Sequence, residues 1–208
     1  MSDLPLGTVI LPTGEQSRFN TFHANLIRLL DRTGARIRWN AGLDIAWNIN
    51  DALKRRVGEW VWIIGDDHSF EPDIIERLFA HNLDVVVPLV LQRNQPHRCV
   101  LYDVDGVPLQ VEPHERGLKS VGIAGSAGML IREHVLETIG DPWFVIGGEE
   151  RQSEDIAFCR KLNAAGFGIW CDLETTMGHI SNVEVWPKYD PERGWSVAYR
   201  RTAQARLA

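Results

Sequence analysis

The run Trp60-Val61-Trp62-Ile63-Ile64 is apolar at every position and stops at Gly65-Asp66-Asp67-His68. A strand without polar alternation is buried on both faces, which is the setting of a parallel sheet with helices packed on either side. Acids placed directly after such a strand face the crevice at the carboxyl ends of the sheet, where ligands of open α/β sheets bind. This junction points to an α/β fold and marks a candidate site.

The flanking segments fit. Residues 8–11 are strand-like and end at Pro12-Thr13-Gly14, and 19–30 reads as a helix with Phe22, Leu26, Ile27 and Leu30 on one face before Gly34. Residues 35–39 predict a short second strand and 45–57 a helix. Glu71-Pro72-Asp73 opens another helix that carries Ile74, Ile75, Leu78 and Phe79, and 84–91 is a β-branched strand. Strand alternating with helix over the first ninety or so residues implies a parallel sheet covered on both sides. In the second half, 99–112 alternates like a hairpin around Asp105-Gly106, and 121–132 passes from small residues to Met129-Leu130-Ile131. Residues 153–165 predict a helix stopped by Gly166. Beyond His179 the chain is rich in Trp, Pro and Arg. The expected division is a domain over 1–182 followed by a weakly structured tail or lid over 183–208.

Composition narrows the function. With 22 Lys+Arg against 28 Asp+Glu the formal charge is −6, which argues against a strongly basic nucleic-acid-binding domain. Cys99, Cys159 and Cys171 form no CxxC pair, so zinc ribbons, thioredoxin chemistry and a disulfide scaffold are not indicated. No window approaches the roughly 18 apolar residues of a membrane span, and the start of the chain has no signal-like pattern. The cytoplasm is the expected compartment.

Asp66, Asp67 and His68 offer two carboxylates and an imidazole at the strand mouth. A hard cation such as Mg²⁺ or Mn²⁺ prefers carboxylate oxygens, manganese also tolerates a histidine nitrogen, and either ion bridges to the phosphates of a nucleotide. The alternative is a turn in which Asp66 satisfies backbone N–H groups. Farther along come Gly125-Ser126-Ala127-Gly128-Met129-Leu130, then Ser153-Glu154-Asp155, then Met177-Gly178-His179. In this order, over roughly residues 6 to 182, these segments resemble the GT-A fold nucleotide-sugar glycosyltransferases of the large family 2 group and its small phage and bacterial relatives.

The resemblance implies a GT-A-like, Rossmann-like, mostly parallel sheet flanked by helices with a mixed C-terminal half. It also implies metal-dependent, inverting transfer of a sugar from a nucleoside-diphosphate donor to a hydroxyl acceptor, with Mn²⁺ or Mg²⁺ as cofactor. A glycan, lipid, protein, metabolite or modified nucleobase all fit as acceptor. The acidic turn stands at the family's DxD motif in one of two registers. Aligned on Phe70 and Pro72, its first acid falls on Gly65 and its last on Asp67; aligned on the first acid, it reads Asp66-x-His68. Asp67 is the preferred metal ligand, Asp66 turns to the ribose or a metal-bound water, and His68 is a further candidate ligand. His179 matches the position of a metal or diphosphate ligand in metal-dependent relatives, with a strand-end turn as the plainer reading. Glu154-Asp155 matches the ED motif, and Asp155 is the expected general base; helix capping by Ser153 and dipole-favoured acids explain the same residues without catalysis. Gly125, Ser126 and Gly128 match the segment lining the donor sugar and acceptor, although a tight turn also explains the glycines. Residues 11–15, with Pro12 and Thr13, occupy the place of nucleobase contacts, and Asn48 and Asn50 stand near the family's Arg-Asn pair without its arginine.

Trp143, Trp186 and Trp195 are candidate sugar platforms or core residues, and Arg193, Arg200, Arg201 and Arg206 make the C-terminal end basic. Two other classes stay in view: a non-catalytic nucleotide- or sugar-binding module, kept open by Gly65, and a nucleotidyltransferase, although its usual glycine-rich phosphate loop is missing. A P-loop NTPase is excluded by the absence of GxxxxGK[ST].

Overall fold

The computed structural model describes residues 2–13, 19–42, 44–147, 152–181 and 183–201. Its strands are β1 (Thr8–Thr13), β2 (Arg36–Ala41), β3 (Trp60–Ile63), β4 (His68–Ser69), β5 (Val85–Val90), β6 (Leu101–Tyr102), β7 (Leu118–Val121), β8 (Ile123–Ala124), β9 (Met129–Arg132), β10 (Ile169–Ile180), β11 (Val183–Asp190) and β12 (Gly194–Arg201). The helices are α1 (Asn20–Thr33), α2 (Ile45–Lys54), α3 (Ile74–Ala80), α4 (Glu133–Ile139) and α5 (Glu154–Ala164). Among the described residues no helix is long and apolar enough to cross a membrane.

The main sheet runs β2-β1-β3-β9-β5-β10-β11-β12, so the chain is an α/β protein with the parallel N-terminal half and mixed C-terminal half expected. β1 pairs in parallel with β2 and β3. The sheet is not parallel throughout, because β9 inserts antiparallel between β3 and β5. The turn before it sets that direction: Gly128 N–H donates to the Ile63 carbonyl at 2.7 Å and Met129 N–H to that of Ser126 at 3.1 Å.

Alternate side chains of each strand enter different cores, as the twofold strand period requires. Trp60, Trp62 and Ile64 pack with Phe22, Leu26, Leu29, Ile75 and Leu78 of α1 and α3. Val61 and Ile63 pack with Ile49 and Leu53 of α2, Leu136 of α4 and Phe158 of α5. In α1 the inward face is Phe22, Leu26 and Leu29, whereas Ile27 is 60% exposed. Ile27 follows Phe22 by five residues, about 140° round the helix, while the spacing 22, 26, 29 stays on one side.

β10 is the unusual element. Its first part, Ile169 to Asp172, lies between β5 and β7. The register on β5 then slips between Asp172 and Thr176, and the continuation pairs with β4 and β11. Asp172 fixes this bulge: it accepts from the Glu174 N–H at 2.9 Å and the Thr175 hydroxyl at 2.6 Å, and it meets His81 Nε2 at 2.9 Å. Burial would raise its carboxyl, but the bonds from Thr175 and His81 prevail and hold it below its ordinary value.

The stretch expected to be a weakly structured tail is instead an antiparallel hairpin over 183–201, added to β10. Trp186 ties it to β10, packing against Gly178, and donates through Nε1 to Glu184 at 2.8 Å. Arg206 lies outside the described residues. The three tryptophans offered as sugar platforms are packed or hydrogen-bonded within the fold. Trp143 is buried and donates to the Leu136 carbonyl, Trp186 lies beneath Arg200, and Trp195 donates to the Glu115 carbonyl.

Gly128 carries a strict backbone requirement at the turn before β9. Its φ is +86°, and a Cβ there would stand 2.6 Å from Pro88 Cγ and 2.8 Å from Met177 Sδ. Gly128→Ala therefore combines left-handed strain with overpacking and is expected to lower stability by about 2–4 kcal/mol. Urea denaturation checks this.

Candidate functional site

The carboxyl ends of β1 and β3, the turn before β9 and the second part of β10 enclose a cavity of about 470 Å³. Pro12, Thr13, Asp66, Asp67, His68, Ser126 and His179, all singled out in the sequence, line it together. A smaller cavity of about 150 Å³ shares His68, Ser126, Ala127 and His179 with it and is bounded by Gly125 and Asp155. The space beside the acidic turn thus adjoins the space beside the helix-borne acid.

The centre is built by strand pairing. Ile180 N–H donates to the Asp67 carbonyl at 2.7 Å, and His68 pairs with His179 across β4 and β10. Their rings stack with centroids 4.5 Å apart. Asp67 Oδ1 lies 2.9 Å from His68 Nδ1, and Asp67 Oδ2 lies 3.2 Å from His179 Nε2 and 3.3 Å from Arg93 Nη1. Burial would raise the Asp67 carboxyl, but hydrogen bonds to His179 and His68 and the charges on those rings hold it well below the usual carboxylate range.

The tautomer of His179 is fixed by its other neighbour. Its Nδ1 is 3.2 Å from the Leu91 carbonyl, which can only accept, so Nδ1 carries the proton. In a neutral ring Nε2 then presents a lone pair to a carboxylate, and two acceptors face each other unless a proton or a cation lies between them. An N–H held by a backbone carbonyl is the support that metal-bound imidazoles ordinarily have. One ligand atom each from Asp67, His68 and His179 lie within 4.8 Å of one another. Atoms bound at about 2.1 Å to a common ion are separated by roughly 3–4.3 Å, so this group fits a cation with small adjustments.

Asp155 stands in the first turn of α5. Its Oδ1 accepts from the Ser153 hydroxyl and, at 2.8 Å, from the Ile156 N–H. Glu154 lies outside both cavities. Burial, followed by the charges of Asp155 and Asp44, raises its carboxyl, with one backbone hydrogen bond opposing. Gly128 likewise lines neither cavity and serves the turn. Asn50 is not at the cleft: it donates to the Phe144 carbonyl at 2.6 Å and accepts from the N–H groups of Trp143 and Phe144, clamping that loop to α2. Gly14 and Glu15 of the segment expected at the nucleobase lie outside the described residues.

Two further lining residues are Asn48, which the sequence placed with Asn50 near the family's Arg-Asn pair, and Arg93, to which it gave no role. Asn48 is 2% exposed, donates to the Gly42 carbonyl at 3.3 Å, and has a buried Oδ1 without a partner. A polar residue among Ala46, Ile49, Ala52 and Leu53 on the buried face of α2 was the available signal. Arg93 could have been found by the logic that found Asp67, since it is the first charge after the buried strand β5.

The chain matches no family model, and no curated protein is significantly similar to it. Among solved structures, A197 from STIV aligns over 97% of both chains with a TM-score of 0.60 at 16% identity, which shows a common fold. S. aureus TarS aligns with a TM-score of 0.48 at 15% identity, over 81% of this chain and 35% of its own. TarS 1–349 in complex with UDP gives 0.48 at 14% identity, over 79% of this chain and 56% of its own.

Because the folded Asp67 carboxyl is held below its unfolded value of about 3.9, the stability it supplies is complete above that pH and is lost as the pH falls further. Its carboxyl ¹³C shift is expected to stay flat down to about pH 3, where exposed aspartates already titrate. A transition near the ordinary value would contradict this electrostatic reading.

Proposed function

We propose that the protein is a metal-dependent glycosyltransferase that moves a sugar from a nucleoside-diphosphate donor to a hydroxyl acceptor with inversion at the anomeric carbon. The observation that carries this reading is that Asp155 borders the same small cavity as His68 and His179, with Asp67 beside them. A base and a cation-fitting group therefore address one space, as displacement at a sugar carbon bonded to a diphosphate requires.

In this reading the larger cavity holds the nucleoside diphosphate. Pro12, Thr13 and Asn48 lie at its nucleoside end, where the unpartnered Asn48 Oδ1 accepts an N–H from the base. Arg93 turns from Asp67 to the diphosphate, whose charge it offsets. Asp67, His68 and His179 hold the divalent ion, which when bound supplies Lewis-acid stabilisation of the departing diphosphate. Asp155 takes the acceptor proton as the acceptor oxygen bonds to C1 and the C1–O bond to the phosphate breaks, releasing the nucleoside diphosphate.

One carboxylate and two imidazoles are a softer donor set than Mg²⁺ prefers. Mn²⁺ is therefore expected to bind more tightly than Mg²⁺, and His179→Ala to weaken Mn²⁺ by ~10-fold or more. Electron paramagnetic resonance of free Mn²⁺ measures its binding directly and that of Mg²⁺ by competition, and equal affinity for the two ions would count against this ligand set.

Asp155→Asn is expected to lower turnover by roughly 10²–10⁴-fold while donor binding measured by calorimetry is retained. A parallel loss of donor affinity, or unchanged turnover, would remove Asp155 from the role of base. An NMR spectrum of a product that keeps the donor's anomeric configuration would overturn inversion.

A further inference from the structure

The smaller cavity differs in chemistry from the larger one. Its polar side chains are those of Asp155, Ser126, His68 and His179, and the rest of its lining is aliphatic or small. Val87, Val90, Val100 and Leu101 form most of the apolar wall. Among the described residues no arginine, lysine, asparagine, glutamine or glutamate lines it.

The backbone of that wall is already committed. Val100 N–H donates to the Val90 carbonyl at 3.2 Å, and the Val100 carbonyl accepts from Gly125 N–H at 3.3 Å. The Leu101 carbonyl accepts from Leu109 N–H at 2.9 Å, and β6 pairs with β8 through Leu101 and Ala124. No side chain of that wall offers a hydroxyl a partner, and each of these main-chain groups already has one. A hydroxyl buried without a partner is disfavoured by roughly 5- to 150-fold, whereas a methyl gains from the same contact.

Connectivity decides which group enters this space. The transferred sugar is bonded through C1 to the diphosphate, and the two cavities share His68, Ser126, Ala127 and His179. Resting on the glycosyltransferase reading, we infer that the donor carries a 6-deoxyhexose, whose C6 methyl packs on Val90, Val100 and Leu101 while its remaining hydroxyls meet Asp155 and Ser126.

The test is competition binding in the presence of Mn²⁺ with donors that differ only at C6. Glucose is compared with 6-deoxyglucose and galactose with 6-deoxygalactose, each on UDP, GDP and TDP, alongside the free nucleoside diphosphates. On the nucleotide that binds, the 6-deoxy donor is expected to bind ~10-fold or more tightly than its hydroxymethyl counterpart. Val100→Thr, which keeps side-chain volume and adds a hydroxyl, is expected to narrow that gap. Equal binding of matched donors, or preference for the hydroxymethyl sugar, overturns the inference while nucleotide binding keeps the wider reading. If no nucleoside diphosphate binds, both fall. The matched-donor comparison stands on the unaltered protein should Val100→Thr fail to fold.

Discussion

The structure depends on one bent strand. β10 enters as an interior strand of the main sheet, held by β5 and β7, and leaves as the partner of β4 and β11. β7 is left at the Asp172 bulge while β5 stays paired in a shifted register through Met177, and at the bulge one carboxylate satisfies two nearby donors and contacts His81 of the α3 C-cap. A bulge shifts the register of the residues beyond it, and here that shift sets His179 against His68. The separation between a sheet-building half and a site-building half of one strand explains how the same element serves both packing and chemistry.

Much of the fold was legible because its signals are local. A strand apolar at every position identifies burial on both faces, and the acids after it identify the open end of the sheet. Those two facts place Asp67 correctly, and helix periodicity places Asp155 in the first turn of α5. The misread positions depend on contacts between distant segments. The insertion of β9 between β3 and β5 depends on a turn whose amide reaches Ile63, and no property of Met129-Leu130-Ile131 alone distinguishes parallel from antiparallel pairing. The hairpin 183–201 looked irregular because its Trp, Pro and Arg residues suit loops as well as edges, and its order comes from pairing with β10.

The site was legible in the same uneven way. Asp67, His68 and His179 were singled out and lie together, but nothing in the order of residues reveals that the Leu91 carbonyl fixes the His179 tautomer. Asn48 and Asn50 have the same side chain two positions apart on one helix, and about 200° of rotation separates a residue facing the cleft from one that clamps the loop at Trp143 and Phe144. Arg93 was passed over because arginines after strands are common, and only the folded chain brings its guanidinium to Asp67.

The pairing of Asp67 with His179 joins residues 112 positions apart. During synthesis β1, β2 and β3 emerge early and have neighbours available at once, whereas Asp67, with His68 beside it, waits for more than half of the chain before its second imidazole, His179, exists. Contacts of such sequence separation form slowly, because loop closure precedes any compensating interaction. The cleft is therefore completed late in folding, after the scaffold that supports it, and a chain stopped short of β10 keeps the acidic turn without the strand that gives it a second wall.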